Sequence, residues 1–495
     1  MKSLYSDSRV SLLQSFSLLL LSIAIVVIRY PSYLINPRIW AEESIYLETF
    51  FSSSNFIDGF DALIYPAYYV LISRISGLLA SIVSPENAAL VTTICGLIVL
   101  LIPISIILFG NSKYWTTLRQ KIILSAFLIF SCSTGEIWMN STNVGFIMAV
   151  ATFLILIDEN LGNFIKKMLY GLCLSLAILT GPISLLMSPF FLYRFIQKRE
   201  STFLIYCFLF LILGLFQISY FLISHNLETS VGNLNRGIFI SNSVIESFFY
   251  WISPNIIFPL FGYFLTTGFR TLMIAGNQNS QQLNFLYESF PFSIETSMAL
   301  ISFLVLIAAL FLAASMIGIY LYFLKHSNKD EKVYMLILFI YLSLILTALS
   351  LGGHGGYRYS YVTSFILLFY LLQRFLSKTS KFEEKLIKVA ISFSLIMGVL
   401  EYYPRVISFS PDFRSAQEDE WPIWKNEVNS WKENSEHKPK IWPHLRMDTN
   451  IWPARSTVWE IDLNTPKTWN EAGRFRYSKE VKTYLGATKA DEYEK

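Results

Sequence analysis

The sequence predicts an all-α polytopic membrane protein with about eleven transmembrane helices, and three observations carry that prediction. Hydrophobic residues make up 54% of the chain and charged residues only 15%, where soluble proteins average about 25% charged. The apolar residues fall in long runs, many near the ~20 residues that cross a bilayer. Lysine and arginine gather on alternate connections between those runs, as the positive-inside rule requires. The net charge of +4 is small and decides little beside this distribution, and no nucleic-acid partner is expected.

The first run, 12–28, is followed by no small-residue cleavage pattern and is expected to stay as a helix. Further spans are expected at 88–109, 122–133, 144–157, 168–180, 183–195, 202–224, 298–324, 333–351, 361–375 and 386–402. The short ones must extend into polar flanks or tilt. Segment 62–83 opens on Tyr65-Pro66 and carries Arg74 near its centre. An arginine at mid-bilayer costs ~2.5 kcal/mol or more, so an amphipathic helix lying at the interface is expected there. Counting 62–83 as a span would place Lys113, Lys121, Lys166, Lys167, Lys198 and most later lysines outside, so the charge rule also argues against it.

The resulting layout has a transmembrane domain over 1–403, with the N-terminus in the cytoplasm. Residues 30–87 form an outer loop holding the interfacial helix. Residues 225–296 form a second outer loop, with membrane-dipping pieces around the prolines Pro254 and Pro259. From 404 to 495 the chain turns polar and carries seven of its 11 tryptophans, an expected extracytoplasmic region. Those tryptophans suit core or interface anchoring, or an aromatic platform under a sugar. Cys95, Cys132, Cys173 and Cys207 all sit in apolar runs and read as small buried hydrophobes.

The distinctive polar residues then share the outer side. Glu42 and Glu43 follow the first span, with Tyr46 on the same helical face as Glu42. Glu136, Asn140 and Asn143 lie in the turn between the third and fourth spans. Thr180-Gly181-Pro182 forms a corner, and a glycine-flanked His354 precedes Arg358 and Tyr359. Each has a plain structural reading: Asn140 and Asn143 as helix caps, the glycines as a flexible turn, Arg358 as an interfacial residue on lipid phosphate. His354 alone does not make a metal site. Span interiors hold almost no acids or bases, which argues against an ion-coupled transporter.

Carboxylates, an arginine and glycine-rich backbone at an interface suit transfer of a sugar from a polyprenyl phosphate. Arginine neutralises the leaving phosphate, and an ionised carboxylate takes the proton from an acceptor hydroxyl. A second carboxylate could orient the acceptor or bind a divalent cation. No nucleotide-binding glycine loop is present.

These residues resemble the GT-C superfamily of multispanning glycosyltransferases that use polyprenyl-phosphate-linked sugars. The acidic pair with a tyrosine three positions on corresponds to Glu42, Glu43 and Tyr46, the interfacial helix to 65–83, and the phosphate-contacting arginine to Arg358 with Tyr359 beside it. The resemblance implies a GT-C-like fold and an inverting transfer to a cell-surface glycan or glycolipid; a bacterial plasma membrane setting is assumed, since lumenal relatives would look similar. It makes Glu42 the leading base and Arg358, with Tyr359, the donor-phosphate contact; the residues' own placement adds Glu136, Asn140, Asn143 and Tyr46 as acceptor-side or supporting groups and His354 beside the donor phosphate. Many members carry Asp at the first acidic position, so whether Glu42 or Glu43 is the base stays open. A transporter or flippase of a lipid-linked glycan, or a non-catalytic membrane scaffold, remain the competing readings.

Overall fold

The computed structural model describes residues 10–29, 31–40, 42–51, 53, 56–62, 68–110, 112–130, 137–158, 161–228, 251–262, 331–349, 357–377, 380–400, 422–441, 459–461 and 463. These residues are mostly helical. The expected span at 298–324, Glu136, His354 and most of the C-terminal region lie outside them.

Helix α1 (Leu12–Arg29) leads through α2 (Ser32–Ile35) into α3 (Glu43–Phe51), α4 (Phe56–Asp61) and α5 (Leu71–Ser81). Then come α6 (Pro85–Phe109), α7 (Leu118–Phe130), α8 (Val144–Ile157), α9 (Phe164–Thr180), α10 (Pro182–Leu185), α11 (Ser188–Lys198) and α12 (Ser201–Glu228). After a π-helical turn at Ser253–Ile257 follow α13 (Glu331–Leu349), α14 (Ser360–Phe375), α15 (Lys381–Leu400) and α16 (Trp424–Glu433). Two short strands, β1 (Lys440–Ile441) and β2 (Trp459–Glu460), pair antiparallel, Lys440 opposite Glu460.

Three described helices are long and apolar enough to cross a membrane: α1, α6 and α12. A fourth crossing exists if α9 and the α10–α11 segment count as one broken span, for the chain bends by 119° between them. That bend falls on Thr180-Gly181-Pro182, the corner marked in the sequence. The expected spans at 144–157 and 361–375 form α8 and α14, which are shorter apolar helices. At 1.5 Å per residue α8 is ~21 Å long, less than a ~30 Å hydrocarbon core.

α8 is the centre of the molecule. Every residue in it except Gly145 is buried, and it packs against α6, α9 and α14. Its apolar, β-branched and aromatic side chains fill the core with Leu124, Phe127, Phe365 and Phe369. Phe153 meets Phe365 and Phe369 edge to face. α12 shows the opposite pattern. Ile205, Phe208, Leu211, Ile212 and Leu215 are each more than half exposed, an apolar stripe that only hydrocarbon solvates cheaply.

The interfacial helix expected at 62–83 is the shorter α5, and its arginine faces inward rather than along a surface. Arg74 is fully buried. Its guanidinium donates to the carbonyls of Gly59, Phe60 and Ala62 at 2.8, 3.1 and 2.7 Å and to the Tyr220 hydroxyl at 2.7 Å. The fork of fixed donors meets the carbonyls left over at the end of α4. Burial is tolerated because those bonds replace the lost water, so charge alone does not place this helix at a surface.

The described part of the segment expected as a second outer loop, 251–262, is helical and packs on α14. Asn255 inside the π turn donates to Thr347 and accepts from Thr363.

Candidate active site

The start of α3 and the residue just before it present two adjacent carboxylates in different settings. Glu43 is buried at 2% exposure. One of its oxygens accepts from the Ser141 N–H at 2.5 Å and the Ser141 hydroxyl at 2.9 Å. The other accepts from the Trp40 N–H at 2.7 Å and more weakly from the Thr92 hydroxyl at 3.4 Å. The Trp40 bond is half of a capping box: a glutamate in the first turn reaches back to a backbone donor three residues earlier. The Ser141 bonds cross 98 residues of sequence to the start of α8.

Burial pushes the Glu43 pKa up, while the bonds from Ser141 and Trp40 and the nearby Arg38 charge pull it partly back. Arg38 is itself buried, between the rings of Tyr33 at 4.0 Å and Trp40 at 4.4 Å, and it donates to the Trp138 carbonyl. Both Glu43 and Arg38 therefore reach from the segment between α1 and α6 to the turn before α8.

Glu42 stands one position earlier and is half-buried. No hydrogen bond among the described residues engages its carboxylate; its backbone carbonyl accepts from the Ile45 N–H at 3.2 Å. Tyr46, four residues on, is buried, and burial raises its phenol pKa well above the ordinary value, with Arg74 opposing. A tyrosine in that state stays protonated and can donate a hydrogen bond.

Two glycines let this region close. A Cβ at Gly77 of α5 would lie 2.9 Å from the Tyr46 carbonyl. A Cβ at Gly96 of α6 would lie 2.5 Å from the Asn140 nitrogen. Met139 beside it holds a left-handed φ of 49°, a strained position for a residue with a side chain. Asn140 is fully buried, and its side-chain oxygen accepts from the Thr142 and Asn143 N–H groups at 3.2 and 2.9 Å. That carbonyl holds the turn leading into α8, in the manner of a cap. Asn143 is buried next to it.

Arg358 and Tyr359 are half-buried in a 3-10 turn at the start of α14. The guanidinium lies 5.5 Å from the Tyr359 ring. Tyr359 in turn packs edge to face on Phe146, in the first turn of α8, at 5.2 Å. One element, the start of α8, thus touches both groups: Ser141 binds Glu43 and Phe146 supports Tyr359. Glu136 and His354, assigned beside them from the sequence, lie outside the described residues.

Arg38, Ser141, Thr92 and Gln217 were not singled out as site residues in the sequence. Gln217 of α12 donates from its side-chain amide to the Tyr69 and Ile178 carbonyls and accepts from the Tyr69 N–H, pinning the segment before α5. A lone glutamine in an apolar run was the available signal for it. The opposite end of the bundle also holds more than lysines. Asp158 accepts from Lys166 and Tyr170, both at 2.7 Å, and Arg374 pairs with Glu383. Among the described residues no group of three or more His, Cys, Asp or Glu side chains is placed to hold a metal ion. Comparison of the chain with family models, curated proteins and solved structures finds no match.

Proposed function

We propose that the protein is an integral-membrane glycosyltransferase that moves a sugar from a polyprenyl phosphate to an extracytoplasmic glycan or glycolipid acceptor, with inversion. The observation that carries this reading is the pair of unlike carboxylates. Both Glu43 oxygens are occupied by donors that hold the side chain in place, whereas no hydrogen bond among the described residues engages the Glu42 carboxylate, so we assign Glu42 as the one that meets the acceptor hydroxyl. In the reaction, Glu42 takes the proton from the acceptor hydroxyl as that oxygen attacks the anomeric carbon. The bond from the anomeric carbon to the phosphate oxygen breaks, and the phosphate leaves with the electron pair. Arg358, in the turn at the start of α14, neutralises the added charge.

The fuller layout belongs to the same proposal: about eleven spans in a bacterial plasma membrane, the N-terminus inside and the C-terminus outside. Support for the last point comes from α16, which packs beside the start of α6, at the same end of the molecule as Glu43. The test is transfer of radiolabelled sugar from polyprenyl-phosphate donors by membranes carrying wild type or Arg358→Ala. Transfer by wild type and its loss in Arg358→Ala, at equal protein level, is the expected result. Full transfer by Arg358→Ala would remove the arginine from the donor site. A lipid-linked glycan flippase would instead move the donor across vesicles with no transfer.

A further inference from the structure

The C-terminal segment has no role in the reaction just described, yet its described part is docked beside the site. Trp424 and Val428 lie one helical turn apart on α16 and are both buried. With Ile441 and Ile461 they form an apolar cluster on Ile39, Leu47, Ala88 and Ala89. The Trp424 indole N–H donates to the Pro85 carbonyl at 2.7 Å, and Lys432 pairs with Glu86 at the rim. The segment is braced internally: Glu427 contacts the His437 ring at 2.9 Å and accepts from the Lys440 N–H at 3.0 Å, and the Ile461 N–H donates to Pro439 at 3.0 Å.

Two residues of that cluster adjoin the acidic pair. Leu47 is four positions after Glu43 and shares its face of α3. Ile39 precedes Trp40, whose N–H holds the Glu43 carboxylate. α3 is nine residues long, too short to be stable by itself. Its position is set by what packs on it: α5 on one side, Ser141 at its start, and the apolar cluster that Leu47 shares with Trp424 and Val428.

We infer that the C-terminal segment is a positioning element of the acidic site, with Trp424 as the residue that clamps α3. It touches no substrate. It acts by fixing the helix that Glu42 directly precedes. The inference rests on the glycosyltransferase reading for its activity readout only.

The test uses the full-length protein in membranes or detergent. Backbone hydrogen exchange is followed over 43–51 and, as a reference, over 147–157 of α8. Trp424→Ala is expected to speed exchange in α3 about tenfold or more with α8 unchanged, the sign of local rather than global opening. The transfer kcat should fall several-fold with the donor KM unaltered. Trp424→Phe, which refills the apolar slot, should restore most of it. Lys432→Ala removes only an exposed pair and should change neither readout. Unchanged α3 exchange in Trp424→Ala and in the Trp424→Ala/Val428→Ala double variant would overturn the inference. So would equal acceleration in α3 and α8, which would make the contact a general stabiliser. Absence of transfer by wild type would count against the glycosyltransferase reading and leave the exchange comparison to decide this one.

Discussion

Glu43→Gln is the sharpest perturbation of the scaffold, because it keeps the shape of the side chain and removes one acceptor. The two carboxylate oxygens of Glu43 each hold a backbone N–H that has nowhere else to turn, Ser141 on one and Trp40 on the other. A glutamine offers one oxygen and one NH2. Whichever way it is placed, an amide donor faces a backbone donor and one N–H is stranded. A buried unsatisfied group costs about 1–3 kcal/mol. The hydroxyls of Ser141 and Thr92 can rotate to accept from the NH2, so they add little to the loss. Removing the desolvation cost of a buried carboxylate returns part of the energy. A net destabilisation of about 1–2 kcal/mol follows, roughly five- to thirtyfold in the folding equilibrium. Reversible unfolding in mixed micelles measures it, and a double-mutant cycle with Ser141→Ala separates the shared part. Equal stability of Glu43→Gln and wild type would refute the claim that this carboxylate ties α3 to α8.

The same residue predicts a pH dependence. Its folded-state pKa is raised above the ordinary carboxylate value, so its contribution is present at low pH and lost as pH rises above ~4.5 and through the folded value; the Glu43→Gln stability profile should lack that component. Arg74→Lys should destabilise by about 2–4 kcal/mol, since one ammonium cannot meet three carbonyls and a phenol that the guanidinium spans, and thermal unfolding would report it. Gly96→Ala should cost about 1–3 kcal/mol, because the new methyl meets the backbone at Asn140; an unchanged melting temperature would mean that α6 and the turn are less closely packed than they stand here.

The apolar character and the helical class were legible because burial in hydrocarbon or core writes itself as long runs of Leu, Ile and Phe. The acidic pair and the corner at Thr180-Gly181-Pro182 were legible too, as polar or helix-breaking interruptions of those runs. Partners at long range were not. Nothing local in Glu43 says that its donors include Ser141, or that Trp424 will lie on Pro85. From the sequence, the cost of a charge in lipid points Arg74 to an interface. The carbonyls that receive it, at the end of α4, come from chain geometry that no periodicity encodes. Asn140 shows the reverse case. Its plain reading as a cap matches the two backbone bonds it accepts.

The central claim is that the two neighbouring glutamates do different work, one accepting a proton and one holding the helix. The direct measurement is transfer of radiolabelled sugar from polyprenyl-phosphate donors, with stability measured in parallel, for wild type, Glu42→Gln and Glu43→Gln. Glu42→Gln should lose transfer by about 100-fold or more while unfolding like wild type, and Glu43→Gln should be the less stable variant but keep measurable transfer. Wild-type transfer rates in Glu42→Gln, with activity lost only in Glu43→Gln, would contradict it and move the base to the buried carboxylate.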